Sequence, residues 1–598
     1  ELKNTWYLEL DGVIDLEDES QLVQTENSML DQDSGGYIER DQQGTANSFN
    51  YNYWSSSVGT TTPSGVNQRG IGVASVNSSQ KLVAVLFDGT RADGTGGILP
   101  YPKEINFQPK YWAADSGITT PIIISSYWLH TFNGTDNNYN AWKSIDENTL
   151  LFAGEGYTMK GTSGAVNIGN QQNYVFKGKP NNGDFTLQID AGNSRLIGNP
   201  YPSAMDADEF IKDNIKETIN SKAGRNKLGN VFNGALYLWD HFGEKNSHYL
   251  KDYVGGYATY TLMGGAIAYS NDGRINNNGS QGNKKPGQYI PVGQGFFVIA
   301  ALELNPSATY TTPTIDGGKI VFKNSQRIFM VESEENSVFM KGEVEKSANT
   351  SGEKAKDTLE NIDKRPKIWL QFDSPLGYHR QLLVGVDENA SNFFDLGYDA
   401  PIADIGKEDM FWTFDGGKFV IQAVNNFSTN QELPFGMKVR KTGLARIKIE
   451  EQKHMDENIS VHIKDKLTGV VYNISHKPFE INLEAGTYIE RFSLIFKMHK
   501  LVEEDVNAEI LLAAQSQPII EGIQVFMDNA IDELLIKNNN GEEINGIILY
   551  NNLGQTLKTW NTNLNRRTIS LPISNATGVY FVRISTKNNN VVKKIVKL

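Results

Sequence analysis

Short runs in which apolar and polar residues alternate, each closed by Gly, Asn or Asp, recur along almost the whole chain, and a two-residue period leaves little room for helices. Lys81 to Phe87, Tyr174 to Lys177, Phe185 to Ile189 and Gln294 to Ala300 are examples. Alternation sends successive side chains to opposite faces of a strand, so each run can line a core on one side only. The expectation is an all-β, multi-domain chain of β-sandwiches with one short helical insertion. That helix is predicted over Asp206 to Ile219, where Phe210, Ile211, Ile215 and Ile219 share a face. Asp206, Asp208 and Glu209 fall in its first turn, where the helix dipole favours carboxylates.

A chain of 598 residues is too long for a single hydrophobic core. Two stretches read as breaks. Residues 341–365 are charged and nearly free of large apolar side chains, as a linker or long loop would be. Residues 501–518 join two β-rich regions. The organisation expected is therefore an N-terminal β-rich region over 1–340, of one or two modules, a β-sandwich over 366–500 and a small module over 519–598. In the middle region, Ile368 to Phe372, Arg380 to Val386, Lys418 to Ala423, Leu444 to Ile449, Ser460 to Asp465 and Glu490 to Phe496 all alternate. They suggest a sandwich of about eight strands.

Two echoes occur in the N-terminal region. Gly154-Glu-Gly-Tyr and Gly293-Gln-Gly-Phe each set Gly-x-Gly-aromatic before a strand, where glycine permits tight backbone geometry. Leu8 to Val23 reads as the last rung of a stacked β-solenoid. The sequence opens at Glu1 in mid-strand, without the charged and apolar leader of a signal peptide, which suggests the C-terminal part of something longer.

The net charge of −14 repels a phosphate backbone, and no Lys/Arg stripe is interleaved with aromatics, so nucleic acid is not an expected partner. No run approaches the roughly 18 apolar residues of a spanning helix. The chain has no cysteine, which removes disulfides, thiolate metal sites and thiol nucleophiles together.

The last eighty or so residues carry the most specific pattern. Ile547 to Tyr550 reads as a strand, Asn551 to Gln555 as a turn in which Gly554 can take positive φ, and Thr556 to Trp560 as the strand leaving it. Arg567 to Ile573 follows, with Pro572 placing it at a sheet edge. Gly578 to Thr586 puts Tyr580, Val582 and Ile584 on one face, and Asn588 to Asn590 turns the chain into Val591 to Leu598. The reading is a small Ig-like sandwich of about seven strands.

Leu549-Tyr-Asn-Asn-Leu-Gly-Gln555, Gly578-Val-Tyr580 and the terminal Lys593-Lys-Ile-Val-Lys597-Leu598 closely resemble the type A sorting domain of cargo of the Bacteroidetes type IX secretion system. Many members open with Pro-Asn-Pro, whereas this chain has Asp528-Asn-Ala530. The resemblance implies export through a SprA/Sov-type translocon and capture by a PorV-type outer-membrane barrel, with the cargo ending at the cell surface or outside the cell. It names Gly554, Gly578, Tyr580, Lys593, Lys594, Lys597 and Leu598 as the signal. Physically, the lysines give a cationic edge strand on an acidic chain, suited to docking. Gly198 to Ala204, Leu238 to His241, Asp252 to Tyr257, Pro291 to Phe297 and Asn324 to Arg327 also resemble a block common in large secreted flavobacterial surface proteins.

No catalytic motif emerges. There is no Gly-x-Ser-x-Gly elbow, no His-Glu-x-x-His and no complete EF-hand loop. His241 and His248 sit in a Tyr/Trp-rich stretch as polar residues or ligands. Asp88 and Asp93 in a Gly-rich loop could hold calcium as a cofactor or form a solvated turn. Trp239, Tyr253 and Tyr257 could stack on sugar rings or pack as strand faces. The functional expectation is a non-enzymatic surface protein with adhesion, stalk or polysaccharide-binding modules. The rival is a secreted carbohydrate-active enzyme, or its binding modules.

Overall fold

A computed structural model describes residues 1–31, 34–59, 79–90, 98–115, 119, 121–135, 138–162, 171–217, 223–242, 246–249, 252–269, 282–304, 313–332, 337–338, 363–403, 405–498, 523–528, 531–539, 541–551, 556–561, 564, 566–574, 578–587 and 590–597. The chain is all-β and forms two compact units, Glu1–Met498 and His499–Leu598.

The first unit opens with six strands in two tiers. Strands β1 (Leu2–Asn4), β2 (Tyr7–Leu8) and β3 (Val13–Leu16) lie parallel on β4 (Leu22–Gln24), β5 (Met29–Leu30) and β6 (Tyr37–Thr45), in that order. Strand β6 then joins Gln171–Pro180 over eight paired positions from Ile38 to Thr45, carrying these tiers into a six-stranded sheet. Lys81 to Phe87 departs from the expected strand. Leu82–Val85 forms one helical turn before the strand Leu86–Thr90. Leu82, Val85 and Leu86 are all fully buried, and their i, i+3, i+4 spacing is helical rather than alternating.

A nine-stranded sheet forms the centre, ordered Gly264–Ala266, Gly255–Thr261, Leu236–His241, Gly295–Ile299, Asn193–Gly198, His130–Thr135, Tyr157–Lys160 and Tyr51–Trp54, with Trp142–Ser144 beside His130–Thr135. Both Gly-x-Gly motifs enter this sheet and do the same work. Gly154 and Gly293 have φ of 83° and 72°, open only to glycine at low cost. At Gly156 a Cβ would fall 2.7 Å from Ile197 O, and at Gly295 2.7 Å from Tyr53 C, so in both motifs the second glycine admits a neighbouring backbone.

Asn199 and Arg327 join distant segments of this unit. Asn199 donates to the carbonyls of Ser203, Ile290 and Pro291 and accepts from Tyr201 N. Arg327 donates to Leu22 O and lies over the Tyr201 ring at 4.8 Å. The buried Asn199 amide and Arg327 guanidinium satisfy main-chain carbonyls that would otherwise be stranded away from water.

The helix spans Ala207–Asn214, with Asp206 as N-cap accepting from Asp208 N and Glu209 N. It is shorter than expected. The Asn214 amide bonds Phe210 O and Val321 O, and Ile215 is already extended, although buried. Ile219 lies outside the described residues.

Residues 367–498 form an eleven-stranded sheet, larger than the sandwich of about eight strands expected there. It shares one hydrophobic core with the nine-stranded sheet, running from Tyr53 to Phe496. Trp369 Nε1 donates to Gly265 O, Thr261 Oγ1 to Tyr398 O and Arg365 to Leu262 O. The two sheets on either side of 341–365 in the sequence thus bury one another, and 339–362 are outside the described residues.

The second unit has its own core of Ile523, Leu534, Ile536, Ile547, Leu549, Tyr580, Val582 and Ile584 among others. A three-stranded sheet (Ile523–Asp528, Glu533–Asn538, Thr568–Pro572) and a four-stranded one (Thr556–Trp560, Ile544–Asn551, Gly578–Thr586, Asn590–Lys597) supply it. These seven strands match the small sandwich read from the sequence. Thr568–Pro572 is an edge, as Pro572 required.

Candidate functional site

The terminal strand, Asn590–Lys597, is positioned by eight antiparallel pairs with Gly578–Thr586, from Ser585↔Asn590 to Gly578↔Lys597. Among the described residues it pairs on that side only and closes the four-stranded sheet. Tyr580 and its partner Ile595 are buried in the core; Lys593, two positions before Ile595 and opposite Val582, shares that strand face but is exposed. Lys597 does not contribute to a solvent-facing cationic edge. It is 8% exposed, its Nζ donates to Ile573 O at 2.8 Å and pairs with Asp532 at 3.1 Å. Gly578 is in extended backbone, and a Cβ there would only touch the Tyr580 ring at 3.9 Å. Gly554 and Leu598 lie outside the described residues, as does the Lys594 side chain.

The other expected positions fall in the first unit. Asp88 is fully buried, and its carboxylate accepts from Ile122 N and Gln172 Nε2, both at 3.0 Å, so it ties its own strand to the residue before Ile123–Ser125 and to the strand Gln171–Pro180. Asp93 lies outside the described residues, and no cluster of three acidic or histidine ligands occurs among the described ones. Trp239 and Tyr253 are 5% and 3% exposed and turn no ring face to solvent. Tyr257 is half-buried, its hydroxyl 3.0 Å from that of Tyr53.

Sequence reading missed a cluster that gathers around Lys160. Its Nζ lies 3.5 Å from the Trp128 ring centre and 4.8 Å from that of Tyr51, donates to the Tyr253 hydroxyl and is 3.1 Å from His248 Nδ1. His248 Nε2 is 2.9 Å from Asp115, whose other oxygen accepts from Ser48. Burial pulls the Lys160 ammonium down to about 6, while the ring face of Trp128 favours its charge. Burial pushes His241 further down, to about 3, with Lys160 adding repulsion. The carboxylate, imidazole, ammonium and phenol make a continuous hydrogen-bonded path. Lys160 is 2% exposed, however, so its Nζ is closed off from solvent. The alternation of Tyr157–Lys160 hid it, because a lysine there reads as the solvent face.

Above this buried group the rings are open. Tyr111, Trp112 and Tyr127 are 46%, 50% and 53% exposed, and Tyr111 meets each of the other two edge-on, with Tyr111–Trp112 centres 4.6 Å apart. Tyr127 packs on Trp128, and Trp128 stacks on His248. The aromatic platform is therefore mounted on the Lys160 cluster.

Comparison with known proteins places two families on the chain. Residues 117–496 match a family described as Domain of unknown function (DUF8693), and residues 530–598 match the Secretion system C-terminal sorting domain. Among solved structures, the BSP domain of a biofilm associated protein aligns at 8% identity over 78% of this chain and 87% of its own, with a TM-score of 0.11 that carries no argument. No curated protein matches the chain. With more than half of its length in the first family and its sorting signal in the second, the chain belongs to the DUF8693 family and is a type IX secretion cargo exported across the outer membrane to the cell surface or beyond.

Proposed function

We propose that the sorting domain docks through the outer edge of Asn590–Lys597 on a PorV-type barrel after passage through a SprA/Sov-type translocon. The observation that carries this is the one-sided pairing of that strand, with Lys593 exposed along it. An open strand edge offers backbone donors and acceptors to a partner, and charge keeps it from self-association. Residues 519–598 fused to a periplasm-targeted reporter should be exported by a type IX-competent cell. Lys593→Glu should trap the reporter in the periplasm while leaving the domain folded. Normal export of that variant would refute docking through this edge.

The first unit then acts outside the cell as a non-catalytic binding module for surface polysaccharide, in adhesion or as a stalk. The exposed ring platform Tyr111, Trp112 and Tyr127 supports this reading, since such rings stack on the apolar faces of sugars. A glycan array probed with the parent chain and Trp112→Ala should give signals that the variant loses. Polysaccharide hydrolysis by residues 1–498 would instead favour the enzymatic rival.

A further inference from the structure

The two tiers at the start of the first unit repeat one another residue over residue. Leu2 lies against Leu22, Leu8 against Leu30 and Ile14 against Ile38, offsets of 20, 22 and 24 residues. Between the strands, Thr25 N donates to Asn4 O, Met29 N to Trp6 O, Asp31 N to Leu8 O, and Tyr37 N to Gly12 O. Ser28 bonds Asn4, Leu10 N donates to Ser34 Oγ and Gly35 N to Asp11 Oδ1. Gly36 sits so close beneath Gly12 that a Cβ would lie 1.9 Å from its carbonyl oxygen. Three consecutive strands each parallel to the corresponding strand one period later are two turns of a parallel β-coil.

The first turn is built like the second but is not covered like it. Leu2 is 42% exposed where Leu22 is fully buried, and Leu8 and Ile14 are half-buried where Leu30 and Ile38 are at 2% and 0%. Leu2, Trp6, Tyr7 and Val13 bring large apolar surface, 42–66% exposed, to one rim. Strands β1, β2 and β3 each pair on one side among the described residues. An edge meant to face water is usually protected by charge, proline or a bulge, and this one carries only Lys3 and Asp15 as charged residues within its strands, beside Leu2, Tyr7, Leu8, Val13, Ile14 and Leu16.

We infer that the rim of β1–β3 is the stacking surface for a further turn of the same coil, carried by polypeptide N-terminal to Glu1. Parallel stacking is what sets Leu on Leu and Gly on Gly between the two visible turns. A second copy related by a two-fold axis would bring the same rim in antiparallel and lose that match, which is why a preceding turn fits and a symmetric dimer does not.

The test extends the full chain by a duplicate of Glu1–Ser20 placed before Glu1, reproducing the 20-residue offset of Leu2 and Leu22. Hydrogen exchange of amides 2–16 should slow by about tenfold or more, because local opening of the rim becomes costlier, and the melting midpoint should rise. A control with Leu8→Pro and Ile14→Pro in the added copy alone should exchange like the parent. Unchanged exchange in the intact extension would overturn the inference. So would a concentration-dependent dimer of the parent that the extension dissociates, since the rim would then belong to a second copy.

Discussion

Lys597 turns its ammonium inward to the carbonyl oxygen of Ile573, 2.8 Å away, and ties the last strand to the end of Thr568–Pro572. The terminal lysines therefore divide into one that is buried and closes the fold and at least one that is exposed. Lys597→Met should lower the stability of the isolated sorting domain by about 1–3 kcal/mol, the cost of stranding a buried acceptor. Lys593→Glu should change it by less than about 0.5 kcal/mol. Urea unfolding of residues 499–598 measures both, and equal losses would show that the two lysines are not distinguished by burial.

Arg380 and Asp409 form a bidentate pair in the eleven-stranded sheet, at 2.7 and 2.8 Å, with 5% and 0% exposure. Asp409→Ala removes the carboxylate from a buried guanidinium. Destabilisation of the first unit by about 3–5 kcal/mol is expected, read as a shift in the denaturant midpoint. A double replacement by Met and Leu should recover much of the loss.

Burial, with Asp206 close by, pushes the Asp208 carboxyl up to about 7, and the Tyr260 hydroxyl donates to it at 2.8 Å. In the unfolded chain it titrates near the ordinary value, about 4. Folding therefore takes up a proton between these values. The associated stability is full below about pH 4 and is lost as pH rises through about 7. Asp208→Asn should remove that slope, so the variant gains on the parent between pH 5 and 8 by about 1 kcal/mol, solvent screening of the half-buried group holding the figure down. Parallel melting curves across that range would count against it.

Gly295→Val should cost the first unit about 1–3 kcal/mol by overpacking, because the Tyr53 and Trp54 backbones occupy the space at 2.7 and 2.8 Å. The control Gly192→Ala meets no atom within 4 Å and isolates the cost of positive φ. Differential scanning calorimetry of the two variants separates crowding from backbone strain.

Much of the architecture was legible because burial on one face writes itself as alternation. All six strands read in residues 366–500 occur, and the small sandwich appears with its seven strands. Leu82 to Leu86 misled because a four-residue helical turn and a short strand both bring buried residues close together. The sharing of one core across the charged stretch could not be read, since it depends on partners such as Trp369 and Gly265, about a hundred residues apart. For the same reason the Lys160 cluster stayed hidden: Asp115, Lys160 and His248 come from three separate segments. The inward turn of Lys597 was invisible for a local reason, because a lysine in a terminal strand has the composition of a surface whichever way it points.

Because Tyr53 and Phe496 belong to the same interior, the early strands cannot settle until the late ones arrive. Closing contacts over so many residues is slow. An exported chain built this way carries its own delay: most of its length must be present before any of its largest domain is finished, and the address read by the exporter comes after that point.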